Sequence, residues 1–384
     1  MGGAASAVPM SMPGPPAPTR RVGRAMAWGV AIGVGAVVLR ELVRPREHPA
    51  RLIDWARVEE IALARCGEAQ DLPADLTRDQ TYQQIAAELE PLLAEALGPG
   101  AAVSGSRVYP GLTAVGRRQW VRFNIRIFQQ MFEPLEGLQR MIPGSLILSF
   151  GQKGLTRYLG LMLGLLARRV LGQYDPALLG REPVETSSLI LVEPNVQAWA
   201  NKDKLPVDEL RRWLAMHEMT HAWEFRAHPW LQSYLEGLLK EVLVGRLADG
   251  RRPSRLELIR TLTIGVGQQW KAIAKLQAVM SLLEGYSNLV MDEVGRRQLP
   301  HFALLEGAYR RRQQERTPLE RAFLRLTGLE MKMRQYVLCE RFCREVRDGG
   351  GRELLARVWE GPAWLPTMAE IQRPELFIER ARSR

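Results

Sequence analysis

From about residue 51 to the C terminus, apolar residues recur at the three- and four-residue spacing of one helix face. The clearest example is the stripe formed by Ile85, Leu89 and Leu93. Gly98 ends this pattern, as a glycine commonly does at the end of a helix. A chain with such spacing over most of its length must fold mainly as packed helices. The sequence therefore predicts one mainly α domain over residues 51–384, with at most a small β element.

One short segment departs from the helical pattern. Residues 187–192 are rich in β-formers, and the run stops at Pro194. We therefore expect a strand formed by Leu189, Ile190, Leu191 and Val192.

The first 43 residues have a different character. Residues 1–24 are rich in glycine, alanine and proline, which predicts a disordered tail. Residues 25–43 form an apolar segment whose uninterrupted run ends at Leu39, short of the roughly 20 residues that span a bilayer. The segment is interpreted either as a membrane anchor or as a helix packed on the domain. The expected location is accordingly cytoplasmic or membrane-associated.

Composition excludes several classes of protein. The 384 residues are 46% hydrophobic, which is enough for a large core and excludes a wholly disordered chain. Three cysteines are too few for a disulfide scaffold. The net charge of +11 raises the question of nucleic-acid binding. No predicted helix combines a basic stripe with base-stacking aromatic residues, so we expect no nucleic-acid partner.

The segment that carries chemistry is residues 217–221, His-Glu-Met-Thr-His, in a stretch of strong helix propensity. Because a helix places positions i and i+4 on one face, His217 and His221 can present two imidazoles to one Zn²⁺ ion. Glu218 would then act as the general base toward the attacking water. The alternative is a pair of surface histidines beside a salt-bridge partner. The motif predicts a zinc-dependent hydrolase, most simply a metallopeptidase acting on a peptide or protein.

The third ligand does not follow the motif closely, because Ala227 occupies the position where an extended motif would need a histidine. Glu284 lies in an otherwise apolar stretch, where a carboxylate is costly unless it is paired or binds a metal. It is predicted to be the third ligand, with a salt bridge to a buried arginine as the alternative. Asn288 and Asp292 share its helix face, and we expect them to hydrogen-bond a ligand histidine.

Two further features are compatible with a peptidase. The strand Leu189–Val192 precedes the histidine motif, and an exposed strand edge can pair with an extended peptide. The alternative is a core strand in a small sheet. Tyr336 could donate a hydrogen bond to the oxyanion of the reaction, or it could lie on a solvated helix face.

The chain resembles a bacterial family of zincin-like metallopeptidases that is often linked by name with deazaflavin-coenzyme biosynthesis. The resemblance covers most of the chain from about Asp54. It rests on RRQWVRFN at 117–124, ARRVLGQYD at 167–175, VEPN at 192–195, HEMTH at 217–221, PWL at 229–231, LEG at 283–285, VMD at 290–292, LEMKMRQY at 329–336 and WEGPAWLP at 359–366.

The resemblance implies a mostly helical zincin-like fold, a zinc site at His217 and His221, and a place for Glu284 in that site. Many members of the family read Glu-Gly-His-Ala-Glu-His where this chain reads Glu-Gly-Tyr-Ser-Asn-Leu at 284–289. Glu284 matches that pattern, whereas its first histidine and its second glutamate are replaced here by Tyr286 and Asn288, which favours Glu284 as the ligand. A non-catalytic, zinc-stabilised scaffold that binds a partner is the alternative function, although an intact Glu218 argues against it.

Overall fold

A computed structural model describes residues 53–67, 72–73, 75–97, 111–141, 148–175, 189–243, 255–314 and 329–384. The predicted tail at 1–24 and the apolar segment at 25–43 lie outside these residues. Among the described helices, none is both long enough and apolar enough to cross a membrane.

The described part of the chain is mainly α-helical with one small sheet, as predicted. The first helices are α1 (Trp55–Arg65), α2 (Leu76–Leu97), α3 (Arg117–Met141), α4 (Leu148–Ala167) and α5 (Glu193–Asp203). They are followed by α6 (Val207–Ala227), α7 (Pro229–Leu243), α8 (Arg255–Gln298) and α9 (Phe302–Gln314). The chain ends with α10 (Leu329–Ala356), α11 (Met368–Gln372) and α12 (Pro374–Ser383).

The sheet has three strands, β1 (Leu112–Val115), β2 (Gly172–Tyr174) and β3 (Leu189–Val192), in the order β1-β3-β2. β1 runs parallel to β3, and β2 runs antiparallel to it. The sequence predicts β3 within these bounds but neither of its neighbours. Both are short, and β2 contains a glycine, so neither carries a recognisable strand pattern.

β3 is buried on both faces because it lies between two hydrophobic clusters. Leu189 and Leu191 belong to the larger cluster, which includes α6, α8 and α10. Ile190 and Val192 face the opposite way, into a second cluster with α1, α3 and α4. Side chains alternate between the faces of a strand, so two cores require an uninterrupted apolar run.

The start of α6 is fixed by a buried polar network. Glu193, at the start of α5, accepts hydrogen bonds from the Tyr82 hydroxyl on α2 and from the Arg211 guanidinium on α6. Gln197 adds a third hydrogen bond to the same carboxylate at 2.8 Å. Burial, followed by the charge of Glu193, raises the pKa of Tyr82, which keeps its hydroxyl a donor. The network joins three helices and holds the helix that carries the histidine motif.

Candidate metal centre

Helix α6 presents the two motif histidines to one point. The Nε2 atoms of His217 and His221 lie 3.2 Å apart, and the two rings are nearly perpendicular, with 81° between their planes. Ala215, Met216 and Met219 anchor this part of the helix in the core, each with no exposed surface. The i and i+4 spacing therefore produces the convergence that the sequence predicts.

Helix α8 brings Glu284 to the same point from 63 residues further along the chain. Its Oε2 lies 3.5 Å from Nε2 of His217, and its Oε1 lies 4.0 Å from Nε2 of His221. Ligand atoms of the three residues all lie within 4.8 Å of one another. Burial raises the pKa of Glu284, but the hydrogen bond and the charge interaction with His217 outweigh it, so the net direction is downward.

The other ring nitrogen of His221, Nδ1, contacts two side chains. Its Nδ1 lies 2.8 Å from Oε2 of Glu224, a residue of α6 with no exposed surface. The Ser287 hydroxyl, on α8, lies 3.2 Å from the same nitrogen. When Glu224 is ionised, its carboxylate accepts a hydrogen bond from a protonated Nδ1, and this tautomer leaves the lone pair of Nε2 toward Glu284. Burial raises the pKa of Glu224 well above its usual range, and the charge of His217 only partly opposes this.

Asn288 and Asp292 were expected to hydrogen-bond a ligand histidine, but the structure places other residues beside the two histidines. Nδ1 of His217 lies 3.1 Å from the sulfur of Met291. Asp292 instead accepts hydrogen bonds from Arg344 at 2.9 Å and from Arg296 at 3.4 Å.

Asn288 also has a different environment from the one expected. Within the described residues, its buried Oδ1 has no hydrogen-bond partner. Among the described residues, the Nδ1 atoms of His217 and His221 contact Met291, Glu224 and Ser287, and not Asn288 or Asp292. Ser287, three residues after Glu284, is the residue of α8 that contacts Nδ1 of His221.

Glu218 lies beside the convergence point and against β2. The residue is only 6% exposed, and the backbone N–H of Tyr174 donates a hydrogen bond to its carboxylate. Burial raises the pKa of Glu218, and the charges of His217 and His221 oppose that effect. A carboxyl group with a raised pKa is suited both to accept and to return a proton near neutrality.

The donor set fits a zinc ion. Two imidazole nitrogens and one carboxylate are a common ligand set for catalytic zinc, and they leave one position open. Glu218, Glu224 and Glu284 place three carboxyl groups in a region largely withdrawn from water, and Oε1 of Glu224 has no hydrogen-bond partner among the described residues. A cation would offset the cost of keeping these groups ionised.

Two remaining predictions concern the substrate. β3 is hydrogen-bonded to β1 on one side and β2 on the other, so it has no free edge to receive a peptide. The alternative interpretation, a core strand in a small sheet, is the one that the structure has. Tyr336 belongs to α10, but its side chain lies outside the described part of that helix.

Glu224 and Ser287 are the site residues that the sequence analysis did not find. Glu224 lies three residues after His221, which is a helix-face spacing that could have indicated the contact. Ser287 lies three residues after Glu284, but serine is common on helices and gives no comparable signal.

The chain is similar to known proteins over most of its length. The family model for zincin-like metallopeptidases matches residues 53–378. A crystal structure from Chloroflexus aurantiacus, described as a candidate hydrolase with a novel fold, is 34% identical and superposes with a TM-score of 0.66. The match covers 86% of this chain and 99% of that one. No curated protein matches the chain. The chain belongs to the family of zincin-like metallopeptidases.

Proposed function

We propose that this protein is a zinc-dependent hydrolase that cleaves peptide bonds. The observation that carries the proposal is the convergence of His217, His221 and Glu284 within 4.8 Å, with the buried carboxyl group of Glu218 beside them. Membership of the zincin-like family supports a metal at this site, usually zinc. The proposed substrate is a peptide or protein.

The two histidines and Glu284 would hold the ion. When bound, zinc supplies a Lewis acid that polarises the scissile carbonyl and makes a water molecule more acidic. Glu218 takes the proton from that water onto a carboxylate oxygen as the water attacks the carbonyl carbon. The same carboxyl group then donates the proton to the leaving amine nitrogen as the carbon–nitrogen bond breaks.

Buried residues next to the histidines in the chain hold the ligand side chains in position to bind a metal. Glu224 fixes the tautomer and orientation of His221, so that the Nε2 lone pair faces Glu284. Trp223 and Tyr286 stack with ring centroids 5.8 Å apart, and both pack edge-on against Trp359. These rings are almost fully buried, and Trp223 and Tyr286 follow His221 and Glu284 by two positions in their helices.

The test combines metal analysis with hydrolysis of casein. The purified wild-type protein should hold one zinc per chain and cleave casein, and His221→Ala should lose both properties. Glu218→Gln should keep its zinc and lose roughly 10²- to 10⁴-fold in kcat, the usual contribution of a general base. Wild-type protein without stoichiometric zinc would contradict the site. Full zinc occupancy without hydrolysis of casein or of a peptide library would favour the scaffold alternative.

A further inference from the structure

Gly172 lies in β2, the outer strand of the described sheet, next to Glu218. The carbonyl of Leu171 accepts a hydrogen bond from the N–H of Val192 in β3. Because hydrogen-bonded positions alternate along an antiparallel pair, the N–H groups of Gly172 and Tyr174 point away from β3. This orientation agrees with the hydrogen bond from the Tyr174 N–H to Glu218. β2 therefore presents its outer edge to helix α6.

The Glu218 side chain occupies the space that a side chain at position 172 would need. A Cβ atom built on Gly172 would lie 2.5 Å from Oε1 and 2.8 Å from Cγ of Glu218, and 2.7 Å from Cδ2 of Leu191. Real Cβ atoms essentially never approach other atoms within 3.0 Å. Glycine is thus the residue that allows the carboxyl group to lie against the strand.

Backbone conformation does not explain the glycine. The described glycines with a positive φ are Gly67, Gly351 and Gly361, and Gly172 is not among them. Its backbone is that of a strand, which any residue can adopt. The requirement at this position therefore comes from the close approach of Glu218.

We propose that Gly172 is a positioning residue for Glu218. The carboxyl group of Glu218 occupies the space where a side chain at position 172 would lie, and it accepts a hydrogen bond from the N–H of Tyr174. A larger residue at position 172 would displace this carboxyl group. This inference rests on the proposed role of Glu218 as the general base. The sequence indicates only that Glu218 lies on helix α6, and the inference adds that strand β2 also positions it.

The predicted clash would move the carboxyl group and spare the fold. The three atoms nearest to a Cβ at this position all belong to the side chains of Glu218 and Leu191. Side chains of this length can rotate away at modest cost, whereas a backbone segment cannot. Gly172→Ala should therefore fold, bind zinc at His217, His221 and Glu284, and hold Glu218 in the wrong place.

The experiment compares Gly172→Ala with Gly154→Ala in the full-length zinc-loaded protein. Gly154 is exposed on α4, and a Cβ there would meet nothing within 4 Å. We expect both variants to keep the zinc content of the wild type. Gly172→Ala should melt at a somewhat lower temperature, because the fully buried Leu191 must also shift, whereas Gly154→Ala should melt like the wild type. Gly172→Ala should lose about 100-fold in kcat on casein, the effect of misplacing a reacting group by about 1 Å. Gly154→Ala should retain wild-type kcat.

A second readout does not depend on catalysis. Hydrogen–deuterium exchange at the Tyr174 amide should be faster in Gly172→Ala, because the displaced carboxylate no longer accepts its hydrogen bond. The exchange rate should match that of Glu218→Ala, and Gly154→Ala should be unchanged. Unchanged exchange in Gly172→Ala would overturn the proposal, whether or not the wild type cleaves casein. A wild type without hydrolysis, combined with faster exchange, would contradict the proposed function but not the contact.

A double-mutant cycle separates positioning from general damage. Glu218→Ala removes both atoms of Glu218 that the added Cβ would meet. Glu218→Ala should therefore cost less in kcat when combined with Gly172→Ala than it does in the wild type. Strictly additive losses in this double-mutant cycle would show that the two positions act independently and would refute the inference.

Discussion

Nδ1 of His221 lies 2.8 Å from the Glu224 carboxylate, and Glu224 has no exposed surface. This contact spans one helical turn, and it sets the tautomer of a proposed metal ligand. Ser287 approaches the same pair from another helix. Through this pair, a buried residue of the core orients a side chain that is proposed to bind the metal.

Substitution of Glu224 should weaken zinc binding without removing a ligand. We expect Glu224→Gln to lower zinc affinity about 10- to 100-fold, because an amide orients the imidazole less strongly and makes it a poorer donor. Competition with a chromophoric chelator measures the change. Asp208→Asn, in the first turn of the same helix and exposed, is the matched control and should bind zinc like the wild type. Equal affinities for the wild type and Glu224→Gln would show that the contact does not support the metal.

The identity of the third ligand can be tested on one helix. Glu284→Gln should lose stoichiometric zinc, because it removes the anionic oxygen that faces both histidines. Asp292→Asn, eight residues further along α8, should retain zinc, because Asp292 pairs with Arg344. Metal content after dialysis measures both. Zinc loss from Asp292→Asn but not from Glu284→Gln would show that Asp292, and not Glu284, is the third ligand.

The crossing of α8 and α10 should depend on Gly285. A Cβ there would lie 2.5 Å from the carbonyl carbon of Cys339 and 2.7 Å from the backbone nitrogen of Glu340. Backbone atoms cannot rotate away, so Gly285→Ala should lower the free energy of unfolding by about 1 to 3 kcal/mol. Urea denaturation measures this change.

Gly237→Ala on α7 is the control for that substitution, because its added methyl group would meet nothing within 4 Å. It should raise the free energy of unfolding by about 0.5 to 1 kcal/mol, the usual gain from replacing glycine in a helix. A Gly285→Ala variant as stable as this control would mean that the two helices can separate without cost.

Glu370, a carboxyl group that is not part of the metal centre, should make stability depend on pH. Burial raises the pKa of Glu370, but hydrogen bonds from Arg380 and Thr367 outweigh it, so the net direction is downward. A pKa that is lower in the folded than in the unfolded chain stabilises the fold when the group is ionised. This contribution is present above the ordinary carboxyl range of about 4 and is lost as the pH falls through the folded-state pKa.

Glu370→Gln should therefore unfold at a lower urea concentration than the wild type at pH 7. The difference should shrink as the pH falls below about 4. Glu379→Gln, which replaces an exposed carboxylate on α12, should show little difference at either pH. A constant difference between Glu370→Gln and the wild type across this range would mean that the ion pair with Arg380 is not its cause.

The sequence alone determined those features that depend on residues close together in the chain. Helical spacing of apolar residues predicted the mainly α fold, and the run Leu189–Val192 predicted β3, because both patterns are read from neighbouring residues. The relation of His217 to His221 followed for the same reason, since a helix fixes the geometry of positions four apart. Glu284 was found from the cost of a carboxylate in an apolar stretch.

The tertiary structure decided what lies around these residues. Neither β1 nor β2 has a local signal, so the burial of β3 between two cores and the lack of a free edge on it came only from the assembled sheet. The choice of Ser287 over Asn288 depends on how α8 is rotated about its axis against α6. The need for glycine at position 172 depends on a helix that begins 35 residues later. Contacts between segments that are distant in the chain are set by packing, which no local pattern encodes.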